Sequence, residues 1–349
     1  MRKFLRGVAL TTLKSGGVFR LVKNSRWRQQ RLLILCYHGV ALEDESEWRP
    51  ALYVTSQHLE RRLEFLKKGN YNVLSLNEGL ERLHRKDLPP RSVAITFDDG
   101  TFDFYQQAYP LLKQFEFPAT VYLTTYYSEF LRPVFNLICS YMLWKVRKRG
   151  PVDLRELGLA KAEGLDSNEA CQNAANKIVQ WADSQNLTGA QKDDLAAKLA
   201  GSLDINYQEL RTKRILQLMN QQEIKQLAEA GIDFQLHTHH HRTPLNEELF
   251  RREIQDNRAW ITAATGNIGR HFCYPSGVYR REFLPWLSEE QVVSATTCET
   301  GLATAHDNPL LLPRMVDTSG RTDLEFESWL TGVGEFLPSR SPRNARLSD

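Results

Sequence analysis

Thr96-Phe97-Asp98-Asp99-Gly100 closes the apolar run Val93-Ala94-Ile95 with two adjacent carboxylates. Val93, Ala94, Ile95 and Phe97 have the continuous apolar character of a parallel strand buried on both faces. Asp98 and Asp99 then fall at its C-terminal end, where α/β folds place their chemistry. Neighbouring carboxylates repel each other unless a cation or a proton lies between them. An acidic turn leading into a helix cap would leave the same string, so the pair takes its meaning from a partner elsewhere.

That partner is His237-Thr238-His239-His240-His241, which holds four of the chain's nine histidines and follows the apolar run Ile232-Asp233-Phe234-Gln235-Leu236. His237 and His241 are spaced i and i+4, so one helical turn after the strand would point both imidazoles the same way. Neutral imidazole suits zinc and similar divalent metals. Two histidines and one carboxylate leave coordination positions open, the pattern of a catalytic rather than a structural site. A solvated histidine-rich loop or an adventitious metal binder is the other reading.

Around these two motifs the chain alternates strands and helices, which implies a parallel sheet. Leu32 to Tyr37 reads as a buried strand. Thr55 or Ser56 caps a helix carrying Leu59, Leu63 and Leu66, which Gly69 ends. Val73 to Leu76 reads as a strand, Asn77 to Arg85 as a helix, Tyr105 to Phe115 as a helix and Ala119 to Leu123 as a strand. From about residue 130 to 214 the alternation lapses into polar helical sequence, read as an insertion over one end of the core. It resumes at Asn220-Gln221-Gln222-Glu223, a capping box with Asn in the first position. A long helix over 246–265 and strands at His271–Tyr274, Val292–Thr296 and Leu310–Met315 follow. About seven such units fit an α/β fold, a distorted (β/α) barrel spanning 31–337 with the insertion at about 130–214.

The composition is that of an ordinary globular chain: 349 residues, 42% hydrophobic and 25% charged, net charge +3. That charge is too small to point to nucleic acid. No acidic residue precedes Glu43, while nine Lys and Arg residues fall between Arg2 and Arg31. Residues 1–30 therefore read as a basic extension, either solvated or lying against an anionic membrane surface. No convincing secretory signal or membrane-length run is present. The five cysteines are odd in number, scattered and free of CxxC pairs, which fits a reducing, cytoplasmic compartment. The polar tail 338–349 reads as disordered.

Thr96-Phe97-Asp98-Asp99-Gly100 together with His237-Thr238-x-x-His241 resembles the polysaccharide deacetylases, and Phe272-Cys273-Tyr274-Pro275-Ser276-Gly277 resembles that family's groove-lining Pro-x-Gly loop. The resemblance implies metal-dependent removal of acetyl groups from an N-acetylated glycan or glycoconjugate. It implies Asp98 as general base and Asp99, His237 and His241 as ligands of a divalent metal, zinc first, with cobalt or nickel possible. Tyr274, Pro275 and Ser276 become candidate substrate or oxyanion residues, the Ser276 N–H above all.

Two departures follow. The family often has Arg two residues before the loop proline, where this chain has Cys273; Arg314, in Leu312-Pro313-Arg314, is a candidate substitute, with a plain structural ion pair as the other reading. The family's late Leu-x-x-x-x-His motif has no match after residue 277, yet Leu33-Ile34-Leu35-Cys36-Tyr37-His38 has that spacing. A circularly permuted barrel, similar to exopolysaccharide-type members, would make His38 the general acid. The competing functions are a glycan-binding barrel without turnover and a related amidase or esterase with another acyl substrate. Tyr126, Tyr127 and Trp144 are candidates for stacking on sugar faces, or else packing residues.

Overall fold

The computed structural model describes residues 2–149, 152–157 and 164–337. The expected disordered tail, 338–349, lies outside the described residues.

The run after the basic arm forms β1 (Arg31–Tyr37), and it is followed by two short strands, β2 (Gly39–Val40) and β3 (Tyr53–Val54), which pair with each other in parallel. Next come β4 (Asn72–Leu74), β5 (Ser92–Phe97) and β6 (Thr120–Leu123). After the insertion come β7 (Asp233–Leu236), β8 (His271–Cys273), β9 (Ser294–Thr296), β10 (Ala303–Thr304) and β11 (Met315–Val316). β5 is buried at every position, its polar Ser92 and Thr96 included, as befits a strand covered on both faces. β1 runs parallel along one edge of β5, Leu33 opposite Val93 through Tyr37 opposite Phe97. The other edge is shared: β4 pairs with Ser92–Ala94 and β6 with Thr96–Phe97. β7, β8 and β9 continue the parallel sheet.

Closure is irregular. Leu312 bridges to Thr296 in β9, and Met315–Val316 pairs with Leu35–Cys36 of β1, so one five-residue segment joins the two ends of the sheet. Sequence reading places a continuous strand over Leu310–Met315. The chain instead makes a single bridge, a break and a two-residue strand, because Pro313 has no N–H to offer a ladder. β10, antiparallel to Arg31–Leu32, carries no such signal in the sequence. The result is a distorted (β/α) barrel.

Local chemistry sets the helix ends. Thr55 caps Ser56–Lys68, its hydroxyl accepting from His58 N at 3.1 Å, and Leu59, Leu63 and Leu66 are buried. Asn220 and Glu223 satisfy each other's backbone N–H groups, so Asn serves the capping box as Ser or Thr would. The helix after β4 begins at Leu76 rather than Asn77, with Ser75 as its cap. The helix after β5 opens with a π-helical turn, Phe104–Ala108, before Tyr109–Phe115 becomes regular around Pro110.

The basic arm is helical and packs on the body of the protein. Helices Arg2–Ser15, Val18–Lys23 and Arg26–Gln29 pack on the C-terminal helix Asp323–Thr331 and the turn after it, burying Leu10 and Phe19 with Val333. Arg28 is fully buried, donating to the carbonyls of Leu330 (3.0 Å), Arg31 (2.7 Å) and Ser92 (3.2 Å). Burial pulls its guanidinium down to about 10. Charge counting alone cannot see such a helix, whose apolar residues are few and well placed. No helix among the described residues is long and apolar enough to cross a membrane.

The insertion has its own core. Helices Phe135–Lys145, Asn168–Ser184, Gly189–Ser202 and Tyr207–Thr212 gather around Ile138, Met142, Ile178 and Leu199, separate from the barrel's apolar interior. Trp144 is buried in this cluster, with Arg147 over its ring, so it packs rather than offering a face to a ligand.

Candidate active site

β5 delivers Asp98 and Asp99 at its C-terminal end, and the two side chains part immediately. Asp98 stays in line with the sheet, its N–H donating to Tyr37 O at 2.9 Å. Asp99 turns at φ 71 and Gly100 follows at φ 78. A Cβ on Gly100 would lie 2.2 Å from Leu123 Cδ1, so both the turn and the close approach of β6 require glycine.

Asp98 is almost completely buried. Arg314 grips it with two parallel bonds, Nη1 to Oδ1 at 2.8 Å and Nη2 to Oδ2 at 2.9 Å. Arg314 is itself fully buried and is held by Thr297 O at 3.0 Å. The thiols of Cys36 (3.6 Å) and Cys273 (3.5 Å) reach Oδ2, as does His38 Nε2 at 3.6 Å. Burial alone would raise the Asp98 carboxyl, but the Arg314 charge and bonds overcome it and hold the group well below the usual carboxylate range. Cys273 thus leaves the arginine's place open at its own position, and Arg314 reaches the carboxylate from the segment that closes the barrel.

Asp99 lies against both histidines. His237 Nε2 is 3.3 Å and His241 Nε2 3.2 Å from Asp99 Oδ1. His237 Nδ1 lies 2.8 Å from Cys273 O, which can only accept, so Nδ1 carries a proton and, in the neutral ring, Nε2 presents a lone pair. Asp99 Oδ1 is buried and receives no hydrogen bond. A lone pair aimed at a carboxylate oxygen is repulsive; a cation between them makes both into ligands. Tetrahedral ligands about 2.0–2.1 Å from one zinc ion stand roughly 3.3–3.4 Å apart, which is the spacing here. The three side chains therefore fit a divalent ion, and the Cys273 carbonyl provides the outer-shell acceptor that metal-binding histidines require.

The histidine segment is not the helical turn that the i, i+4 spacing predicts. It is a bent loop in which Thr238 (φ 64) and His241 (φ 55) are left-handed. A β-branched residue at positive φ is costly and persists only when its surroundings over-determine it. Two residues of helix Glu247–Thr265 do so. Asn257 Oδ1 accepts from His237 N at 3.0 Å while its amide donates to Leu123 O and Thr125 Oγ1. Glu253 accepts from His240 N at 2.8 Å and from Arg242 Nε. Both are buried, one helical turn apart; polar residues at i, i+4 on an otherwise apolar face are the signal that marks them.

The third motif supplies less than its residues suggest. Tyr274 packs inward and its hydroxyl donates to Leu310 O at 3.0 Å, so its phenol does not reach the site. Pro275 is buried and shapes the turn. Ser276, at φ 56, is exposed and lines the cavity, and its N–H has no acceptor among the described residues. Gly277 follows at φ 67, where a Cβ would lie 2.8 Å from both Cβ and Sγ of Cys298. Gly277→Ala is therefore expected to destabilise the protein by about 2 kcal/mol or more, strain and overpacking acting together; an unchanged urea midpoint would contradict this.

The cavity holding these groups encloses about 680 Å³, within the range of small-molecule sites. His38, Asp98, Asp99, His237, His241 and Ser276 line it, with Tyr53 and Arg49 on one side and Phe135, Asn136 and Lys192 of the insertion on another. His306 lies far off in an exposed loop.

Known proteins resemble this chain in sequence and in fold. The model of the family described as "Polysaccharide deacetylase" matches residues 85–138 and 204–294. A poly-beta-1,6-N-acetyl-D-glucosamine N-deacetylase of Escherichia coli K12 is 30% identical over 101 residues, 28% of this chain and 15% of that protein. The protein of the same name from Staphylococcus epidermidis is 30% identical over 113 residues, 30% of this chain and 39% of that protein. The chain thus spans well under half the length of these relatives. Two solved structures share the fold: the Streptococcus pyogenes deacetylase PplD (TM-score 0.56, 20% identity, 86% of this chain and 97% of that one) and IcaB from Ammonifex degensii (TM-score 0.53, 15% identity, 87% and 97%). The matched segments flank the insertion and contain the carboxylate pair, the histidine loop and the Pro275 turn; what they match is a polysaccharide deacetylase domain.

Proposed function

We propose that this chain hydrolyses N-acetyl groups on an amino-sugar polysaccharide or glycoconjugate, using a divalent metal held by Asp99, His237 and His241. The different partners of the two neighbouring carboxylates carry the reading: Asp99 Oδ1 is buried without a hydrogen bond beside Nε2 of His237 and of His241, while Asp98 is gripped by Arg314 at the same cavity. A divalent ion bound there supplies Lewis acidity to the amide carbonyl and to a water. Asp98, kept ionised by Arg314, takes the water's proton. The Ser276 N–H is placed to donate to the oxygen on which charge develops. His38, with Nε2 toward Asp98 and Nδ1 without a partner, returns a proton to the leaving amine. The bidentate Arg314 contact supports an active enzyme over a glycan-binding barrel without turnover.

Removing metal with a chelator is expected to stop acetate release from N-acetylated oligosaccharides of β-1,4- or β-1,6-linked glucosamine, and zinc, cobalt or nickel to restore it. Acetate release by metal-free protein, or release of a different acid from other acyl sugars, would refute the reading.

A further inference from the structure

Apart from the Asp99 ligands, a second set of metal-binding side chains gathers on the other carboxylate. The ligand atoms of Cys36, His38 and Asp98 lie within 4.8 Å of one another. β1 carries Cys36 opposite Thr96 of β5, so the residues just past the two strand ends, His38 and Asp98, emerge side by side. Cys36 is fully buried, while His38 and Asp98 line the cavity. Cys36 Sγ lies 3.6 Å from Asp98 Oδ2. A tetrahedral zinc ion with Zn–S about 2.3 Å and Zn–O about 2.0–2.2 Å holds sulfur and oxygen about 3.6 Å apart. His38 Nε2 stands 3.6 Å from the same oxygen, beyond hydrogen-bond length, and its Nδ1 is buried without a partner among the described residues. The imidazole therefore gives up no hydrogen bond on becoming a ligand.

These donors differ in kind from those around Asp99. Thiolate is a soft ligand that selects zinc, cadmium and similar ions over magnesium or calcium. Two features make this the weaker site. The thiol, which in the metal-free protein donates weakly to Oδ2 and to Tyr37 O, must lose its proton before the sulfur can ligate. Arg314 Nη2 donates to the same Oδ2 at 2.9 Å, so a guanidinium stands near the ion. Asp98 offsets that charge, and the thiolate offsets one charge of the ion. Zinc at one equivalent per chain therefore goes to Asp99, His237 and His241, where no thiol has to ionise, and the second set fills only above that level.

We infer that Cys36, His38 and Asp98 form a second, inhibitory site for a thiophilic divalent ion, zinc or cadmium. On binding, the Cys36 S–H bond breaks and its proton leaves to solvent through the cavity. The sulfur, an imidazole nitrogen of His38 and Asp98 Oδ2 become ligands, which takes both the carboxylate and the imidazole out of proton transfer. Binding stands on the geometry alone; only the loss of turnover rests on the deacetylase reading above.

The full-length protein, stripped of metal by a chelator, is dialysed against rising zinc, and zinc per chain is measured by atomic absorption. Parallel cadmium and calcium titrations are followed by thiolate-to-metal charge-transfer absorption in the ultraviolet, and acetate release from N-acetylated oligosaccharides is assayed at each zinc level. Wild-type protein should take up two zinc ions per chain, and the second cadmium ion should bring the thiolate band, which calcium does not. Cys36→Ala should stop at one ion and show no band. His241→Ala alters an exposed ligand of the first site and leaves β1 intact; it should lose the ion without a band and keep the ion with one, so the site is tested even where Cys36→Ala does not fold. Turnover should peak at one zinc per chain and fall by about 10²-fold or more at two, the share that general-base catalysis supplies. Cys36→Ala should hold its own peak activity over the same range of zinc. A single ion in wild-type protein, a second ion without the band, a band that survives in Cys36→Ala, or equal inhibition of wild type and Cys36→Ala by zinc overturns the inference. A second ion with the thiolate band in a protein that releases no acetate at any zinc level supports the metal site and refutes the deacetylase reading alone.

Discussion

Asp98→Asn is expected to keep its metal and lose its turnover, with kcat falling by about 10²–10⁴, the range general-base catalysis contributes. The amide matches the carboxylate in size but cannot accept a proton from water. Asp99, the group facing the histidines, is untouched, so zinc per chain measured by atomic absorption should equal that of the wild type. The variant also leaves the buried Arg314 guanidinium without its counter-charge, so a lowered Tm is expected and has to be measured beside kcat. A folded, zinc-replete Asp98→Asn retaining more than about a tenth of wild-type kcat would assign the proton transfer to another group.

Arg314→Met should act on stability and catalysis together. Both partners of the ion pair are buried, with 0% and 2% of their side chains exposed. Removing one member of such a pair strands the other charge, at a cost of about 3–5 kcal/mol. The sign of the pH dependence follows from the direction of the shift. A carboxyl whose folded pKa is depressed contributes stability that is fully present above its unfolded value, about 3.9, and is lost as pH falls through the folded pKa. In wild-type protein Asp98 therefore favours the fold down to acidic pH. In Arg314→Met burial is no longer opposed by the guanidinium, so the Asp98 carboxyl titrates higher and the acidic limb of kcat/KM moves to higher pH. Urea denaturation and a pH–rate profile check both parts. An acidic limb in the same place as in wild type would reduce Arg314 to a packing role.

The two motifs that decide the fold are legible because each is local. An apolar run ending in Asp98-Asp99-Gly100, and another ending in the histidine cluster, announce two strand ends without any knowledge of the remainder. Arg314 is legible only as a candidate, since nothing in Leu312-Pro313-Arg314 says that it reaches Asp98 across 216 residues. His38 is legible by its spacing after Leu33, and the structure sets it beside Asp98 at 3.6 Å. What escapes is what tertiary packing decides. The histidine loop takes left-handed φ values that spacing does not encode, because Asn257 and Glu253 hold it from the helix that follows. Tyr274 shares its motif with Ser276, yet its phenol is spent on Leu310 in the core. The basic arm reads as solvated because nine cations outweigh two buried apolar side chains in any local count.

The way the barrel closes has a consequence for how the chain is made. β1 leaves the ribosome long before one of its parallel neighbours, Met315–Val316. Arg28 finds its acceptor on Leu330 only 302 residues later. Contacts this distant in sequence form slowly, and an unpaired strand edge exposed in the meantime invites aggregation. β1 must therefore wait until residue 316 has been made, and termination anywhere before residue 312 would release a chain that cannot shut.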